Sequence, residues 1–140
     1  MRGLFAALSS EDPLESARAV LGATIDHEGI RCRIVEVEAY SGCGRDPGSH
    51  SHRGQTKRNA VMFGPPGHSY VYFNYGMYWL LNVVCGPVGR ANAVLLRAAQ
   101  QLNELETLRA RRPKARTDHE LMSGPGRMGQ ALGVTGAHTG

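Results

Sequence analysis

The sequence predicts an α+β fold: a curved, mainly antiparallel sheet with a protruding β-hairpin and flanking helices. Strand-like runs come first and the longer helical patterns later, joined by short turns rather than by crossover helices. The length, 140 residues, suits one domain spanning 1–140. A hydrophobic content of 41% is enough to build its core.

Ser9-Ser10-Glu11-Asp12-Pro13 reads as a helix start, with hydroxyl caps, early acids and a proline where a missing N–H costs nothing. Leu14, Ala17, Val20 and Leu21 are expected on its buried face, with Gly22 as the stop. Residues 23–40 read as a hairpin turning at Glu28-Gly29. In its second arm Ile30, Cys32 and Ile34 alternate with arginines, after which Val35, Val37 and Ala39 become the apolar set. That change of phase predicts a bulge and leaves Glu36, Glu38 and Tyr40 together on the opposite face. Residues 41–59 form a long polar loop, of the kind that is functional or disordered in compact domains. Strands are expected at 69–73, 77–84 and 91–97, with turns at Asn74-Tyr75-Gly76 and at 86–89. A helix is expected over 100–112, with Leu102, Leu105 and Leu108 on one face, ended by Pro113. Ser123-Gly124-Pro125-Gly126 opens a last helix running to Leu132.

No apolar run approaches the roughly 20 residues of a membrane helix. Residues 1–8 are too short for a signal peptide and are followed at once by Glu11 and Asp12. The three cysteines, Cys32, Cys43 and Cys85, have unrelated spacings and read as free thiols of a reducing cytoplasm, not as a disulfide framework. The net charge of +4 is unevenly spread. From Pro47 to Asn103 there is no Asp or Glu, while Arg53, Lys57, Arg58, Arg90 and Arg97 are all basic. An acid-free middle suits a surface that meets a polyanion, although a chance gap in a Gly/aromatic stretch would look the same.

Tyr70, Tyr72, Phe73, Tyr75, Tyr78 and Trp79 put six aromatics into ten residues. Tyr70 and Tyr72 share a face, and Tyr75 sits in a tight turn where its own sheet cannot bury it. Such rings serve base stacking and helix wedging, or simply pack well in strands. Glu36 and Glu38, about 7 Å apart at the strand rise, approach the two-carboxylate spacing of glycoside hydrolysis. A carboxylate among apolar strand neighbours is a favoured general base. Both could equally be solvated charges paired with arginines. Cys43, Asp46, His50 and His52 are metal-ligand types in one loop, but without zinc spacing. The expectation is no metal and no cofactor. Two lysines, Lys57 and Lys114, give little support to Schiff-base chemistry.

Seven segments in register carry a resemblance. They are Ile34-Val35-Glu36-Val37-Glu38-Ala39-Tyr40, Asp46-Pro47-Gly48-Ser49-His50-Ser51, Arg58-Asn59-Ala60-Val61-Met62-Phe63-Gly64, Tyr70-Val71-Tyr72-Phe73-Asn74-Tyr75-Gly76-Met77, Leu81-Asn82-Val83-Val84, Val94-Leu95-Leu96-Arg97-Ala98 and Ser123-Gly124-Pro125-Gly126. Together they resemble the alkylpurine (3-methyladenine) DNA glycosylases. The resemblance implies a base-excision repair enzyme that flips an alkylated or deaminated purine out of duplex DNA and hydrolyses its N-glycosidic bond. It implies that Glu38 is the general base, with Arg97 beside it. Tyr40 on one side and His50 with Tyr72 on the other would sandwich the flipped base. Asn82 would line the floor and reject guanine by its exocyclic amine. Tyr75, with Met77, would fill the hole in the duplex, and Arg53, Thr56, Lys57 and Arg58 would meet the DNA backbone. The implied partner is double-stranded DNA containing damaged purines. The implied protein is a cytoplasmic monomer (nuclear in a eukaryote), independent of membranes and cofactors. Family members continue past Ser-Gly-Pro-Gly with chain that completes the sheet and pocket wall, so the resemblance implies a domain short of its C-terminal part. Two other classes remain open at this point: a non-catalytic nucleic-acid-binding module, and a metal-dependent hydrolase built on the Cys43/His50/His52 loop.

Overall fold

The computed structural model describes residues 2–42, 44–74 and 76–140. Five antiparallel strands, β1 (Thr24–His27), β2 (Ile30–Tyr40), β3 (Ser69–Asn74), β4 (Tyr78–Cys85) and β5 (Asn92–Gln101), form one open sheet in the order β1-β2-β5-β4-β3. Four helices accompany it: α1 (Arg2–Leu8), α2 (Pro13–Val20), α3 (Leu105–Arg111) and α4 (Pro125–Leu132). The α+β expectation holds.

Helix α2 begins as the sequence predicts. Asp12 is the N-cap, its carboxylate accepting from the Leu14 N–H at 3.0 Å, and Pro13 follows at the first helical position. Its buried face differs from the expected one. Ser16, Ala17 and Val20 are buried, whereas Leu14 and Leu21 are exposed. Helix α1, which no sequence signal announced, explains the difference: the Ser16 hydroxyl donates to the Ala7 carbonyl at 2.7 Å, so α1 packs beside Ser16.

The β1–β2 hairpin turns where expected, with Glu28 at φ 52° and Gly29 at φ 86°, the left-handed pair of a two-residue hairpin turn. The bulge in β2 is present and has a counterpart. Val35 is skipped on β2 and Arg97 on β5, so the pairing offset is the same before and after. Ile30, Cys32 and Ile34 face the main core before the bulge, and Val37 and Ala39 lean on it afterwards. Val35 is a correction: it is exposed, so the apolar phase resumes at Val37.

Strand β4 starts at Tyr78 rather than Met77 and runs one residue further than expected, while β5 runs four residues past its expected end. Gln100 and Gln101 pair with Arg33 and Cys32, so the helix expected over 100–112 begins only at Leu105. Strand pairing overrides a helical pattern here. Asn103 seals the end of the strand, its Oδ1 accepting from the Arg31 N–H at 2.7 Å and its amide donating to the Gly29 carbonyl at 2.9 Å.

The sheet divides the molecule. One face carries the main core, where Cys32, Ile34, Val71, Leu81, Val94 and Leu96 meet residues of α2, α3 and α4. Burial pushes the Cys32 and Cys85 thiols up to about 11, so both are inert core residues. The other face carries Tyr70, Val84 and Ala93, packed under the 3-10 turn Ala60–Phe63. Strand β4 pairs with β5 only from Asn82 to Cys85; Tyr78–Leu81 continue with β3 alone as a hairpin. Ser123 takes the vacated place beside Ala98, and α4 docks against the start of β4. None of the helices is long and apolar enough to cross a membrane among the described residues.

Candidate active site

The second face of the sheet assembles the predicted residues in rows. Glu38, Leu95, Asn82 and Tyr70 are cross-strand neighbours along one row. Tyr40, Ala93 and Val84 form the next row. A side chain on β2 and one on β3, 32 residues apart in sequence for Glu38 and Tyr70, thus look onto one surface.

Glu38 is held at both oxygens. The Tyr40 hydroxyl donates to Oε1, and Arg97 Nη1 lies 3.3 Å from Oε2. The same guanidinium places Nε 3.5 Å from Glu36 Oε1. The two carboxylates therefore share Arg97, as the pairing alternative in the sequence allowed, and the bulges in β2 and β5 put all three on one face. Each Glu38 oxygen keeps a further lone pair, so a water can still approach. Burial, followed by the bond to Glu38, raises the Tyr40 phenol well above its ordinary value and keeps it a neutral donor.

Beside this pair lies an aromatic slot. His50 and Tyr72 rings are 4.0 Å apart between centroids, tilted by 60°, and Tyr70 stands behind them. His50 Nδ1 is 3.2 Å from the Tyr70 hydroxyl. Burial and then the Arg58 charge lower the His50 titration from its usual value, which keeps the ring neutral near pH 7. Asn82, only 4% exposed, lies under the slot with its amide donating to the Tyr70 carbonyl at 3.2 Å. The cavity lined by Tyr40, Gly48, His50, Tyr70, Tyr72 and Asn82 has a volume of about 30 Å³. That holds a water or two, not a purine.

Of the remaining predicted residues, Arg58 contacts a wall of the slot. Arg58, itself exposed, lies over Tyr72, its guanidinium 5.7 Å from the ring centroid and donating to the Phe73 carbonyl at 3.0 Å. Arg53, Thr56 and Lys57 are exposed on the same loop. Met77, 68% exposed, is at the β3–β4 turn. Tyr75 and Cys43 lie outside the described residues. Tyr70 belongs to the slot as well, and its shared parity with Tyr72 in the sequence was the signal for it. Met62 and Asn59 had no such signal, because loop packing brings them in.

The loop residues Asp46, His50 and His52 do not converge as metal ligands. Among the described residues, the one group of three whose ligand atoms come within 4.8 Å is His27, Glu28 and His138, at the β1–β2 turn. There the Thr135 N–H donates to His138 Nδ1 at 2.9 Å. The neutral ring then carries its proton on Nε2, which has no lone pair to offer a cation.

Fold and site together define an antiparallel-sheet protein with an aromatic-walled slot beside a carboxylate–guanidinium pair. The family model described as methylpurine-DNA glycosylase matches residues 7–140. A protein of Nocardia farcinica named "Putative 3-methyladenine DNA glycosylase" is 54% identical over 127 residues, covering 88% of this chain and 60% of its own length. Relatives of the same name from Burkholderia cenocepacia and Streptomyces avermitilis are 48% identical over 139 residues and 55% over 121, covering 99% and 86% of this chain and 65% and 56% of their own lengths. The chain belongs to the methylpurine-DNA glycosylase family. It spans about 60% of the length of the relatives it matches.

Proposed function

We propose that this chain acts on duplex DNA, receives an extruded alkylated or deaminated purine in the aromatic slot, and hydrolyses its N-glycosidic bond with water activated by Glu38. The observation that carries this reading is the placement of Glu38, held by Tyr40 and Arg97, on the same sheet face as the His50/Tyr72/Tyr70 slot. The family and the relatives' names support it.

The chemistry follows from the groups present. A ring-alkylated purine is cationic, stacks well on aromatic faces and departs without much acid assistance. A neutral His50 can lie against such a ring without charge repulsion. Extrusion costs a few kcal/mol, and least for poorly paired bases, which itself favours damage. As the bond to the base lengthens, the sugar gains oxocarbenium character. Glu38 then serves twice, taking a proton from water and offsetting the sugar's positive charge. Arg97 positions the carboxylate, Asn82 reads the purine edge, and Tyr40, His50 and Tyr72 part to admit it. Tyr75 and Met77 fill the gap in the duplex, and Arg53, Thr56, Lys57 and Arg58 meet phosphates. The relatives are bacterial, which supports action in a bacterial cytoplasm; that the chain acts as a monomer is part of the same proposal.

The test is release of free base from a duplex oligonucleotide with one hypoxanthine or 3-methyladenine, scored as alkali-labile abasic product. Binding with no release of either base would reduce the chain to a DNA-binding module. Excision should continue unchanged in EDTA and after dialysis, because the reacting groups assigned here are all side chains. A zinc or magnesium requirement that persists with clean DNA would displace Glu38 from its role.

Tyr72 and Tyr75 should fail differently. Filling the vacated stack offsets a loss of a few kcal/mol per step. Tyr75→Ser should therefore slow single-turnover excision from a paired lesion and spare a bulged one. Tyr72→Ser should slow both, since the extruded base must still be held. Both are compared at one salt concentration, because binding falls steeply with salt. Equal losses on paired and bulged lesions for Tyr75→Ser would end the wedge assignment.

A further inference from the structure

The Arg58-Asn59 segment contributes more than surface charge. Asn59 is 3% exposed, and its side chain uses both ends on the loop it closes. The amide donates to the His50 carbonyl at 2.9 Å and to the Gly54 carbonyl at 3.1 Å, while Oδ1 accepts from the Thr56 N–H at 2.6 Å. The Thr56 hydroxyl returns the contact, accepting from the Asn59 N–H at 3.3 Å. On the far side of His50, the buried Ser51 hydroxyl donates to the Ala91 carbonyl at 3.2 Å. The main chain at His50 is thereby held from two directions, and its ring has a defined place against Tyr70 and Tyr72.

We propose that Asn59 is a positioning residue for the aromatic slot: by tying the His50 carbonyl to the 54–56 turn, it converts a polar loop into a fixed pocket wall. This rests on the proposed function only in what the wall is for. An asparagine suits the place because it must give two hydrogen bonds and receive one in a space closed to water. Aspartate has the same shape but turns a second oxygen toward two carbonyl oxygens, and alanine leaves both carbonyls without their donor. Released from this tie, the loop carries His50 away from Tyr70 and Arg58 into solvent.

The test reads His50 directly. Side-chain NMR titration of the wild type, Asn59→Leu (same shape, no charge added, no hydrogen bonds) and Asn59→Ala follows the His50 ring, with circular dichroism checking the fold of each variant. The expected result is that both variants keep the sheet signal while His50 titrates nearer its ordinary value of about 6.5, because burial and the Arg58 charge no longer act on it. Excision supplies the second reading through a double-mutant cycle. Asn59→Ala should cost about as much as His50→Ala, of order tenfold, and should add nothing to it. An unchanged His50 titration in a folded Asn59 variant overturns the proposal, as does a loss that multiplies with that of His50→Ala. Should alanine unfold the chain, Asn59→Leu decides by the same titration. A wild type that releases no base defeats the proposed function alone, and the titration then settles the role of Asn59.

Discussion

Glu38→Gln is expected to cut single-turnover base excision by about 10²-fold or more, the usual contribution of a positioned general base, while leaving affinity for lesion DNA intact. The amide is isosteric and can still accept at one end, so the contacts with Tyr40 or Arg97 survive in part, but it cannot take a proton from water. Glu36→Gln is the comparison that gives the first result meaning. Glu36 lies 3.5 Å from Arg97 Nε, whereas Glu38 lies 3.3 Å from Nη1 and also receives the Tyr40 hydroxyl. Loss of Glu36 removes one of two partners from Arg97 and leaves Glu38 with both of its own. A reduction of a few fold is expected, since a partly exposed ion pair is worth about 1 kcal/mol or less. Gel-shift titration measures binding, and rapid-quench sampling measures release. Equal losses at the two positions would mean that the carboxylates act as one unit through Arg97, and Glu38 would lose its separate role.

Gly129→Ala is expected to be strongly destabilising. A Cβ built at Gly129 falls 1.9 Å from the Trp79 carbonyl oxygen and 3.1 Å from its carbon, both backbone atoms that no rotamer change can move aside. Helix α4 would have to lift from β4, giving up contacts of the buried Met128, Ala131 and Leu132 with the core. The cost should reach or pass the roughly 3 kcal/mol upper end of ordinary overpacking. Trp79 is the single tryptophan of the chain and sits at the contact, so its emission follows unfolding in urea directly. Gly3→Ala is the control. Gly3 lies in α1 with nothing within 4 Å of its Cβ position, and alanine there should hold or slightly raise the midpoint. A Gly129→Ala midpoint equal to that of the wild type would show that α4 does not rest on Trp79 in solution.

Several parts of this arrangement were legible because they follow from local rules. Asp12-Pro13 starts a helix in any context that leaves the chain free to form one. Glu28-Gly29 makes a two-residue turn because Gly29 takes positive φ freely, and the hairpin draws Glu28 into the same region. The change of apolar phase in β2 required a bulge, and with it Glu36, Glu38 and Tyr40 had to share a face. The segment 100–104 was misread for the opposite reason. Its helical pattern is real, but pairing of Gln100 and Gln101 with Arg33 and Cys32 is a long-range contact that local spacing does not encode. Leu14 and Leu21 point outward because α1 takes the place beside Ser16, and a short N-terminal helix leaves no periodic trace to foresee.

The site divides along the same line. Sequence by itself determined which groups are present and which strand faces they occupy, since the period of two and the phase change leave no freedom there. Motif order added the family. Only the tertiary structure decided that Arg97 lies between the two carboxylates, because that depends on a second bulge in a strand paired 59 residues away from Glu38. Only it decided that Arg58 lies over Tyr72 and that the Asn59 side chain bonds the His50 carbonyl. Hydrogen bonds between distant loops form when packing excludes water from both ends, and that is a property of the assembled surfaces rather than of neighbours along the chain.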